Sequence, residues 1–428
     1  MNSKLSTRAI ATMRLLDMAR GTYQTKILRE YLHNQFSATA QSIEEYQQKK
    51  LQEITQYHFH NNPAYRKHLE KYNIRDVEKL PFSDLPVLTK NFFRENPDHS
   101  ISKNIHITKY SGGSTGVPLQ VNLSKQSFSN FWPALWRAFE ANDIYPGDKM
   151  VMIAGPSLFN KRTFKRKVFD LINNFQVFSA FDLNDKVFRN IYDYIKTKNV
   201  KGIYGYTSSI LSFLNYLEQS NLRVNLQAIF TTSETFIPRV RALAKEYCNC
   251  DVIDTYGAND GGVFGFECQH HSGYHLNYER CFVEIIDHKI ICTDLLNTAT
   301  PFIRYEVGDC TNSSEVIKDR CSCGRSLFRI ENVSGRINDY IIDSDGMAIH
   351  SEFFSHLFSN DSLIKQYQVR STSSELVINL LSDSSTQAVL LNKYVPLLAK
   401  KIKKKHRIVF NEAIVVLPNM KTPILVKN

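Results

Sequence analysis

The stretch LQAIFTTSETFIPRVRALAKEYCNCDVIDTYG, Leu226–Gly257, carries the pattern that decides the fold class. It begins with a short apolar run typical of a buried strand, continues with the helical spacing of RVRALAKEYC, and ends in a second apolar run, DVIDTYG. Two buried strands joined through a helix are expected to lie parallel in one sheet. The same alternation extends back to KMVMIAGP, Lys149–Pro156, so we predict an α/β fold with a mostly parallel sheet.

The chain on either side of this alternation has a different composition. The first hundred residues have mainly helical spacing, with a break at Pro63. From about Gly265 the sequence is rich in β-branched and aromatic residues, which favours an antiparallel or barrel-like β region. Past Gly335 we predict a smaller α+β unit with a hairpin, a helix and two strands. It continues with a basic helix at KKIKKKHR, Lys400–Arg407, and a last strand at IVVLPN, Ile414–Asn419.

The composition is that of a folded globular chain of at least two domains, with 428 residues, 43% of them apolar and 22% charged. Because no long apolar run and no signal-peptide pattern are present, we expect a cytoplasmic protein without a transmembrane segment. The net charge of +11 favours anionic partners, although the ordinary interpretation of the basic run Lys400–Arg407 is a solvated helix face. No nucleic-acid partner is expected, peripheral membrane contact stays open, and the oligomeric state is not predicted.

All eight cysteines lie between Cys248 and Cys323, which in a presumed cytosolic chain indicates a metal site or buried thiols. The segments ECQHHSGYH and CSCGR supply a candidate set of Cys268, His275, Cys321 and Cys323. Three cysteines and one histidine are a regular ligand set for structural zinc. His270 and His271 are rival ligands, and buried thiols that pack as small hydrophobic groups are the alternative interpretation.

Two further segments are candidates for ligand binding. YSGGSTGVPLQV, Tyr110–Val121, has the glycines and hydroxyl groups of a phosphate-binding loop, but it lacks the endings of the common nucleotide motifs. Taken alone it is equally well explained as a plain turn. DTYGANDGG, Asp254–Gly262, lies at the end of a predicted strand, where open α/β sheets bind their ligands.

With three more segments, these motifs resemble the adenylate-forming enzymes. The further segments are TDLLNTATPFIRYEVGD, Thr293–Asp309; CSCGRSLFRIENVSGRINDYI, Cys321–Ile341; and, near the N-terminus, NNPAYRKHL and LPVLTKNFFREN. Their order resembles the phenylacetate-CoA ligase branch, and more closely the CapK-like proteins of capsule and surface polysaccharide gene clusters. The resemblance covers nearly the whole chain. It implies a large adenylating domain with several subdomains at 1–336 and a small mobile lid domain at 338–428.

The resemblance implies a role for each matched residue. The glycine-rich loop would hold the ATP phosphates through Ser111, Gly112, Gly113, Ser114, Thr115 and Gly116. The nucleotide would also contact Ser233, Glu234, Tyr256, Gly257, Asn259, Asp309 and Arg336, with Tyr256 stacked on adenine and Asp309 on the ribose hydroxyls. Asp260 would help bind magnesium, Lys421 would be the adenylation lysine, with Lys427 as a fallback, and Asn338 the hinge. Members with Cys-x-Cys-Gly-Arg tend to have the earlier Cys and His, which supports the zinc set.

This sequence departs from the family pattern at several positions. Leu119 stands where many members have a lysine after the loop proline, as the phenylacetate branch tolerates. Asn259 and Asp260 replace a Thr/Ser-Glu pair, and Met420 replaces a glycine beside Lys421. Asp260 keeps the charge but shifts the carboxylate by one methylene.

The implied reaction is the ATP-dependent activation of a small carboxylic acid to an acyl-adenylate, with magnesium, followed by transfer to CoA or a carrier thiol. Because carboxylate attack adds an anion to an already anionic phosphate, this chemistry requires magnesium and lysine to neutralise charge. Two alternatives stay open. The acyl group could pass to an amine, such as an amino sugar, or the chain could bind ATP or AMP without turnover.

Overall fold

The computed structural model describes residues 5–110, 119–154, 164–180, 182–234, 236–333, 340–344, 348–358, 361, 363–415 and 424–427. Some of the predicted site residues lie outside these ranges: Ser111, Gly112, Gly113, Ser114, Thr115, Gly116, Arg336, Asn338 and Lys421. Their assignments stay predictions. Within the described part of the chain, no helix is long and apolar enough to cross a lipid bilayer.

The helices are α1 Thr7–Arg20, α2 Gln24–Ser37, α3 Ala40–Asn61, α4 Pro63–Glu70, α5 Lys90–Glu95, α6 Lys125–Ser129, α7 Phe131–Glu140, α8 Phe164–Asn173, α9 Asp185–Lys198, α10 Thr207–Gln219, α11 Arg239–Cys248, α12 Ser351–Phe358 and α13 Gln387–Lys401. Short 3₁₀ turns lie at Phe82–Asp84, Ser102–Asn104 and Ser384–Thr386. The mainly helical N-terminal segment is thereby confirmed. The predicted break in the helical segment at Pro63 is also confirmed, since Pro63 is the first residue of α4. A proline is tolerated there because the N–H of the first helical residue has no partner within the helix.

The strands are β1 Ile107–Tyr110, β2 Gln120–Leu123, β3 Met150–Ala154, β4 Phe175–Ser179, β5 Gly202–Tyr206, β6 Ala228–Thr232, β7 Asp251–Gly257, β8 Phe264–Phe266, β9 Tyr274–Leu276, β10 Cys281–Ile286, β11 Lys289–Asp294, β12 Tyr305–Cys310, β13 Arg329–Ile330, β14 Tyr340–Ile342, β15 Ala348–His350, β16 Gln366–Ser371, β17 Leu376–Leu381, β18 His406–Phe410 and β19 Leu425–Lys427. They form sheets of two, three, four and eight strands.

The largest sheet has the strand order β4-β3-β5-β6-β7-β8-β9-β13. It is parallel from β4 to β7 and antiparallel from β7 to β13, which confirms the α/β class with a mostly parallel sheet. Side chains along β6 and β7 alternate between two hydrophobic cores. Ile229 and Val252 pack into one core, whereas Phe230 and Ile253 pack into the other. Because both faces are covered, the residues in the middle of these strands, 228–230 in β6 and 252–253 in β7, are consecutive apolar residues.

The predicted β region is also confirmed. Strands β10, β11 and β12, which follow Gly265, form an antiparallel sheet. Earlier in the chain, outside the predicted region, β1 and β2 pair as antiparallel strands. The chain before α5 is joined to this region. Leu88 pairs with Tyr305, and the Arg304 guanidinium donates to the backbone oxygens of Ser83 and Leu85. These contacts fix the start of α5 beside β12.

The C-terminal unit is smaller and has its own core. Its four-stranded sheet has the order β18-β17-β16-β19, and α12 and α13 pack against the sheet with Phe354, Tyr394 and Leu398 fully buried. A large N-terminal region plus a small α+β C-terminal domain is thus observed. The boundary at residues 336 and 338 lies outside the described ranges and stays a prediction.

Two C-terminal predictions are wrong. The basic run is not one helix, because α13 ends at Lys401 and the chain extends into β18. The Asp343 carboxylate accepts the backbone N–H groups of Lys403, at 2.6 Å, and Lys404, which fixes an extended turn instead of a further helical turn. The predicted last strand is also absent in its described part, Ile414–Val415.

The absence of a strand at Ile414–Val415 has a physical cause. The Gln368 side chain accepts from the Val415 backbone N–H and donates to the Val415 carbonyl, both at 2.9 Å. The Gln368 amide therefore makes the two hydrogen bonds with the Val415 backbone that a neighbouring strand would otherwise make. The last strand is β19, Leu425–Lys427, which pairs in parallel with β16.

Candidate functional site

The carboxyl ends of β6 and β7 bring two of the predicted segments to one edge of the sheet. Ser233 follows β6 with a backbone φ of 68°, and the turn places Glu234 next to the start of α10. The Glu234 carboxylate accepts the Ser208 backbone N–H at 2.5 Å and the Ser208 hydroxyl at 2.7 Å. A carboxylate suits this position because it satisfies an unpaired helical N–H and opposes the helix dipole. The described contacts of Glu234 thus stabilise the first turn of α10.

Tyr256 lies at the end of β7 and contacts a residue from the β region. Its phenol O–H donates to Asp309 Oδ2 at 2.9 Å, and both side chains are buried. Asp309 comes from β12, so the contact joins two segments 53 residues apart. A carboxylate has about four acceptor sites, and this hydrogen bond uses one of them. The predicted adenine-stacking ring and the predicted ribose-binding acid therefore share one site.

The loop after β7 places Asp260 against the antiparallel sheet. Asp260 Oδ2 accepts from the Tyr305 phenol at 2.8 Å and lies 3.7 Å from the Lys90 ammonium. Two glycines make the close approach feasible. Gly261 and Gly262 have φ values of 84° and 73°, and a Cβ at Gly261 would lie 2.1 Å from the Cys292 sulfur. Asp260 is consequently only 4% exposed, in a defined polar environment.

Asn259, the neighbour of Asp260, contacts a second lysine. Its Oδ1 accepts from the Lys109 ammonium at 3.4 Å. Sequence reasoning missed Lys109, Lys90 and Tyr305 as site residues. Lys90 and Tyr305 lie within the segments LPVLTKNFFREN and IRYEVGD that carried the family resemblance, so their position next to matched residues was the available signal. Lys109 directly precedes the segment Tyr110–Val121, so the same signal was available for it.

The structure therefore brings together Tyr256, Asn259, Asp260 and Asp309, with Gly257 closing β7 and Ser233 and Glu234 at the end of the adjacent strand. The remaining nucleotide and catalytic candidates lie outside the described ranges. The fallback lysine, Lys427, is the last residue of β19 and pairs with Ser371 of the C-terminal sheet.

The cysteine and histidine candidates also converge. The ligand atoms of Cys268, His275, Cys321 and Cys323 all lie within 4.8 Å of one another. Cys268 Sγ is 3.8 Å from Cys321 Sγ, and Cys323 Sγ is 3.5 Å from His275 Nε2. Tetrahedral zinc with Zn–S bonds of about 2.3 Å and Zn–N bonds of about 2.0 Å requires roughly these separations. The donor set and its spacing fit a tetrahedral metal ion.

The state of His275 agrees with a role as a metal ligand. Burial lowers the pKa of its imidazole, which favours the neutral form with a lone pair available to a cation. The rival histidines are placed differently. His271 lies 3.1 Å from Asp251 and 3.4 Å from Glu267, and His270 is exposed. Of the three histidines, only His275 is part of the described cluster.

A buried polar network lies between the cluster and Tyr256. Asp254, in the middle of β7, accepts hydrogen bonds at 2.5 Å from Thr231 and Tyr274. Burial raises the pKa of Asp254 to about 7. Tyr274 precedes the cluster residue His275, and its ring centroid lies 6.4 Å from that of Tyr256. In strand β9, Tyr274 is therefore part of the network and the next residue, His275, is part of the cluster.

Comparison with known protein sequences finds relatives that match more than two thirds of the chain. No family model matches. Protein CapK of Staphylococcus aureus is 26% identical over 314 residues, which cover 69% of this chain and 68% of CapK. The phenylacetate-coenzyme A ligase of Thermus thermophilus is 20% identical over 347 residues, 76% of this chain and 77% of that enzyme. The indoleacetate–lysine synthetase of Pseudomonas savastanoi is 21% identical over 247 residues, 55% of this chain and 62% of that enzyme.

A solved structure shows the same fold over nearly the whole chain. The complex of 2-hydroxyisobutyryl-CoA ligase with 2-HIB-AMP and CoA superimposes with a TM-score of 0.62 at 18% identity, covering 92% of this chain and 91% of that one. Fold and relatives together define an adenylate-forming ligase. The chain is similar in sequence to CapK and to the phenylacetate-coenzyme A ligase.

Proposed function

We propose that this chain activates a small carboxylic acid with ATP, releasing pyrophosphate, and then transfers the acyl group from the acyl-adenylate to the thiol of CoA. The observation that carries the proposal is the buried hydrogen bond between Tyr256 and Asp309. It joins the residues for which the resemblance implies adenine and ribose contacts, at the edge of the sheet where ligands of α/β folds bind. The phenylacetate-coenzyme A ligase and the CoA ligase structure support the same reaction class.

The chemistry of the first step explains the polar groups around Asp260. A substrate carboxylate oxygen forms a bond to the α-phosphorus, and the bond to the pyrophosphate oxygen breaks. The transition state concentrates negative charge, so the site must supply cations and hydrogen-bond donors. Asp260 is a hard oxygen ligand suited to magnesium, and Tyr305 and Lys90 hold its carboxylate in one orientation. Magnesium, when bound, would neutralise phosphate charge. Lys421 is the proposed adenylation lysine.

The second step requires the thiol to reach the acyl-adenylate after pyrophosphate has left. In the superfamily the small domain reorients between the two steps, and Asn338 is the proposed pivot of that motion. The proposed boundary between 1–336 and 338–428 follows from this assignment. An amine acceptor is the second candidate, because the indoleacetate–lysine synthetase relative has a name that implies amide formation.

A place in surface polysaccharide assembly, where an activated acid would modify a sugar, is proposed on the resemblance of the sequence motifs to the CapK-like proteins of polysaccharide gene clusters. We also propose that Cys268, His275, Cys321 and Cys323 bind a structural zinc ion, since their spacing fits the tetrahedral set. A closed set of four protein ligands leaves no open position for substrate. Its role would be to join β9 to the segment that precedes β13.

Exchange of labelled pyrophosphate into ATP, across a panel of carboxylic acids, tests the proposed activation step. We expect exchange that depends on one class of acid, and CoA-dependent thioester formation with the same acid. Exchange with thioester replaced by amide product would favour the amine acceptor. ATP binding without exchange for any acid would contradict turnover and favour the binding-only alternative.

A further inference from the structure

Helix α13 exposes apolar side chains on the surface that faces away from its domain. The inner side of the helix is a fully buried row that packs against the C-terminal sheet: Leu390, Tyr394 and Leu398. Four other large apolar residues of the same helix are 38% to 55% exposed: Val389, Leu391, Val395 and Leu397. Single exposed apolar residues are normal on a protein surface, whereas several on one helix form a patch of the kind that marks an interaction site.

These exposed residues flank the buried row on both sides. Residues four or eight positions apart share one side of an α-helix. Leu391 and Val395 therefore lie together on one flank, and Val389 and Leu397 lie two turns apart on the other. Smaller apolar residues between the two flanks are also exposed: Ala388, Pro396 and Ala399. We call these seven exposed residues the outer face of α13.

A basic segment continues from the C-terminal end of the outer face. Between Asp383 and Glu412 the chain has seven lysine or arginine residues and no acidic residue. Three of the seven form ion pairs with carboxylates from other segments of the described structure: Lys393 with Asp361, Lys401 with Asp182, and Arg407 with Glu375. The segment therefore keeps a positive excess after these pairs are counted.

The exposed lysines of this segment point away from the domain. Lys400 follows Pro396 by four positions, so it lies in the same row of the helix. In the extended chain beyond α13, successive side chains point in opposite directions. The Lys404 ammonium donates to a backbone carbonyl at 2.6 Å and so points toward the protein. Its neighbours Lys403 and Lys405 are exposed.

An anionic lipid bilayer matches both parts of this surface. Its interface accepts apolar side chains from a helix that lies flat, and its phosphates attract lysines beside that helix. A second copy of this chain fits less well. Each copy has a net charge of +11, so two copies repel, and the second brings a further basic segment instead of an acidic one.

We propose that the outer face of α13, together with Lys400, Lys403 and Lys405, docks on an anionic membrane surface. The helix lies parallel to the membrane plane, its apolar side chains enter the headgroup region, and the three lysines contact lipid phosphates. None of these residues belongs to the candidate nucleotide site. The inference is therefore independent of the proposed adenylation reaction.

The test measures sedimentation of the full chain with lipid vesicles. We expect binding to vesicles of phosphatidylglycerol and phosphatidylcholine in equal parts, weaker binding as salt is added, and little binding to phosphatidylcholine alone. A variant with Lys400→Gln, Lys403→Gln and Lys405→Gln should lower the partition coefficient about 100-fold. The matched control removes three exposed lysines of α9, by Lys186→Gln, Lys196→Gln and Lys198→Gln, and should bind nearly as wild type.

A second variant tests the apolar part of the surface. Val395→Gln with Leu397→Gln removes two exposed apolar side chains without a change in charge, and should weaken vesicle binding about tenfold. Because both positions are exposed, thermal unfolding should show that this variant stays folded.

Three results would overturn the inference. The first is an absence of vesicle binding by the wild-type chain, and the second is equal binding by the triple variant and its α9 control. The third is a dimer that forms without lipid and dissociates in the Val395→Gln, Leu397→Gln variant, since a second copy would then be the partner of the outer face.

Discussion

The candidate nucleotide site and the cysteine–histidine cluster are both assembled from distant segments, yet their polar groups are compensated in different ways. At the nucleotide site, each described carboxylate already has a donor: Tyr256 for Asp309, and Tyr305 for Asp260. In the cluster, three sulfurs and one imidazole nitrogen converge within 4.8 Å and meet mainly one another. The first site is organised by its own hydrogen bonds, whereas the second has the arrangement that a metal ion would organise.

This difference predicts how each region responds to loss of one residue. Hydrogen-bonded carboxylates can keep their positions when one donor is removed, because other contacts persist. A four-ligand metal site loses its geometry when one ligand is lost, since the ion holds the segments together. Substitutions in the cluster should therefore act on folding, and substitutions in the nucleotide site should act on ligand affinity.

The largest effect is expected for Cys321→Ser. Removal of a thiolate ligand should abolish the binding of zinc and lower the free energy of unfolding by about 4 kcal/mol, as for other losses of a structural metal. Elemental analysis and thermal unfolding measure the two outcomes. Cys250→Ser, at a cysteine outside the cluster, should keep the metal and nearly all of the stability. Protein purified without chelator that contains no zinc would contradict the proposed metal site.

Asp309→Ala comes next. The variant loses the carboxylate that accepts from Tyr256 and that we propose for the ribose hydroxyls. At roughly 1.5 kcal/mol for each hydrogen bond to a charged acceptor, the loss of two ribose contacts should weaken ATP binding about 100-fold. Titration calorimetry provides the measurement, and thermal unfolding should show a smaller change than in Cys321→Ser. Equal ATP affinity in variant and wild type would remove Asp309 from the proposed site.

Asp254, which lies between the two regions, should make stability depend on pH. Its pKa in the folded chain is raised to about 7, so the folded chain retains a proton that the unfolded chain releases near pH 4. The stabilisation is fully present below about pH 4 and is lost as pH rises to about 7. Between pH 5 and 7 the free energy of unfolding should fall by about 1 kcal/mol per pH unit relative to Asp254→Asn. Parallel curves for the two proteins would show that Asp254 does not titrate in this range.

The smallest effect is expected for Tyr256→Phe. Phenylalanine keeps a ring for stacking and removes only the hydroxyl that donates to Asp309. One neutral donor is worth about 1 kcal/mol, so the Kd for ATP should rise by roughly fivefold. Tyr256→Ala removes the ring as well and should weaken binding further. If both variants bind ATP equally, the ring makes no stacking contribution.

Much of the fold could be predicted from the sequence because the central strands are apolar on both faces. Ile229 and Phe230 point into different cores, so the strand contains a run of consecutive apolar residues that is recognisable without knowledge of its neighbours. The C-terminal errors have the opposite origin. Charge and spacing predict a helix over the run Lys400–Arg407, but the carboxylate of Asp343, some 60 residues earlier, fixes an extended turn there.

The candidate site was predictable to the extent that it lay in recognisable segments. Tyr256, Asp260 and Asp309 were named because family motifs contain them, and the structure brings them to one sheet edge and the adjacent β12. The contact between Lys109 and Asn259 could not be predicted, because it joins residues that lie 150 positions apart. No local pattern of residues records such a contact.

The junction between the N-terminal segment and β12 has a consequence for biosynthesis. Ser83 accepts from Arg304, 221 residues later, and Leu88 pairs with Tyr305. At about 5–20 residues per second, the ribosome completes the second partner roughly 10–40 s after the first. During that interval the segment Ser83–Leu88 lacks Arg304 and Tyr305, the residues that contact it in the folded protein. Nascent chains arrested before residue 300 should accordingly be cleaved there by protease, and chains arrested after β12 has emerged should resist.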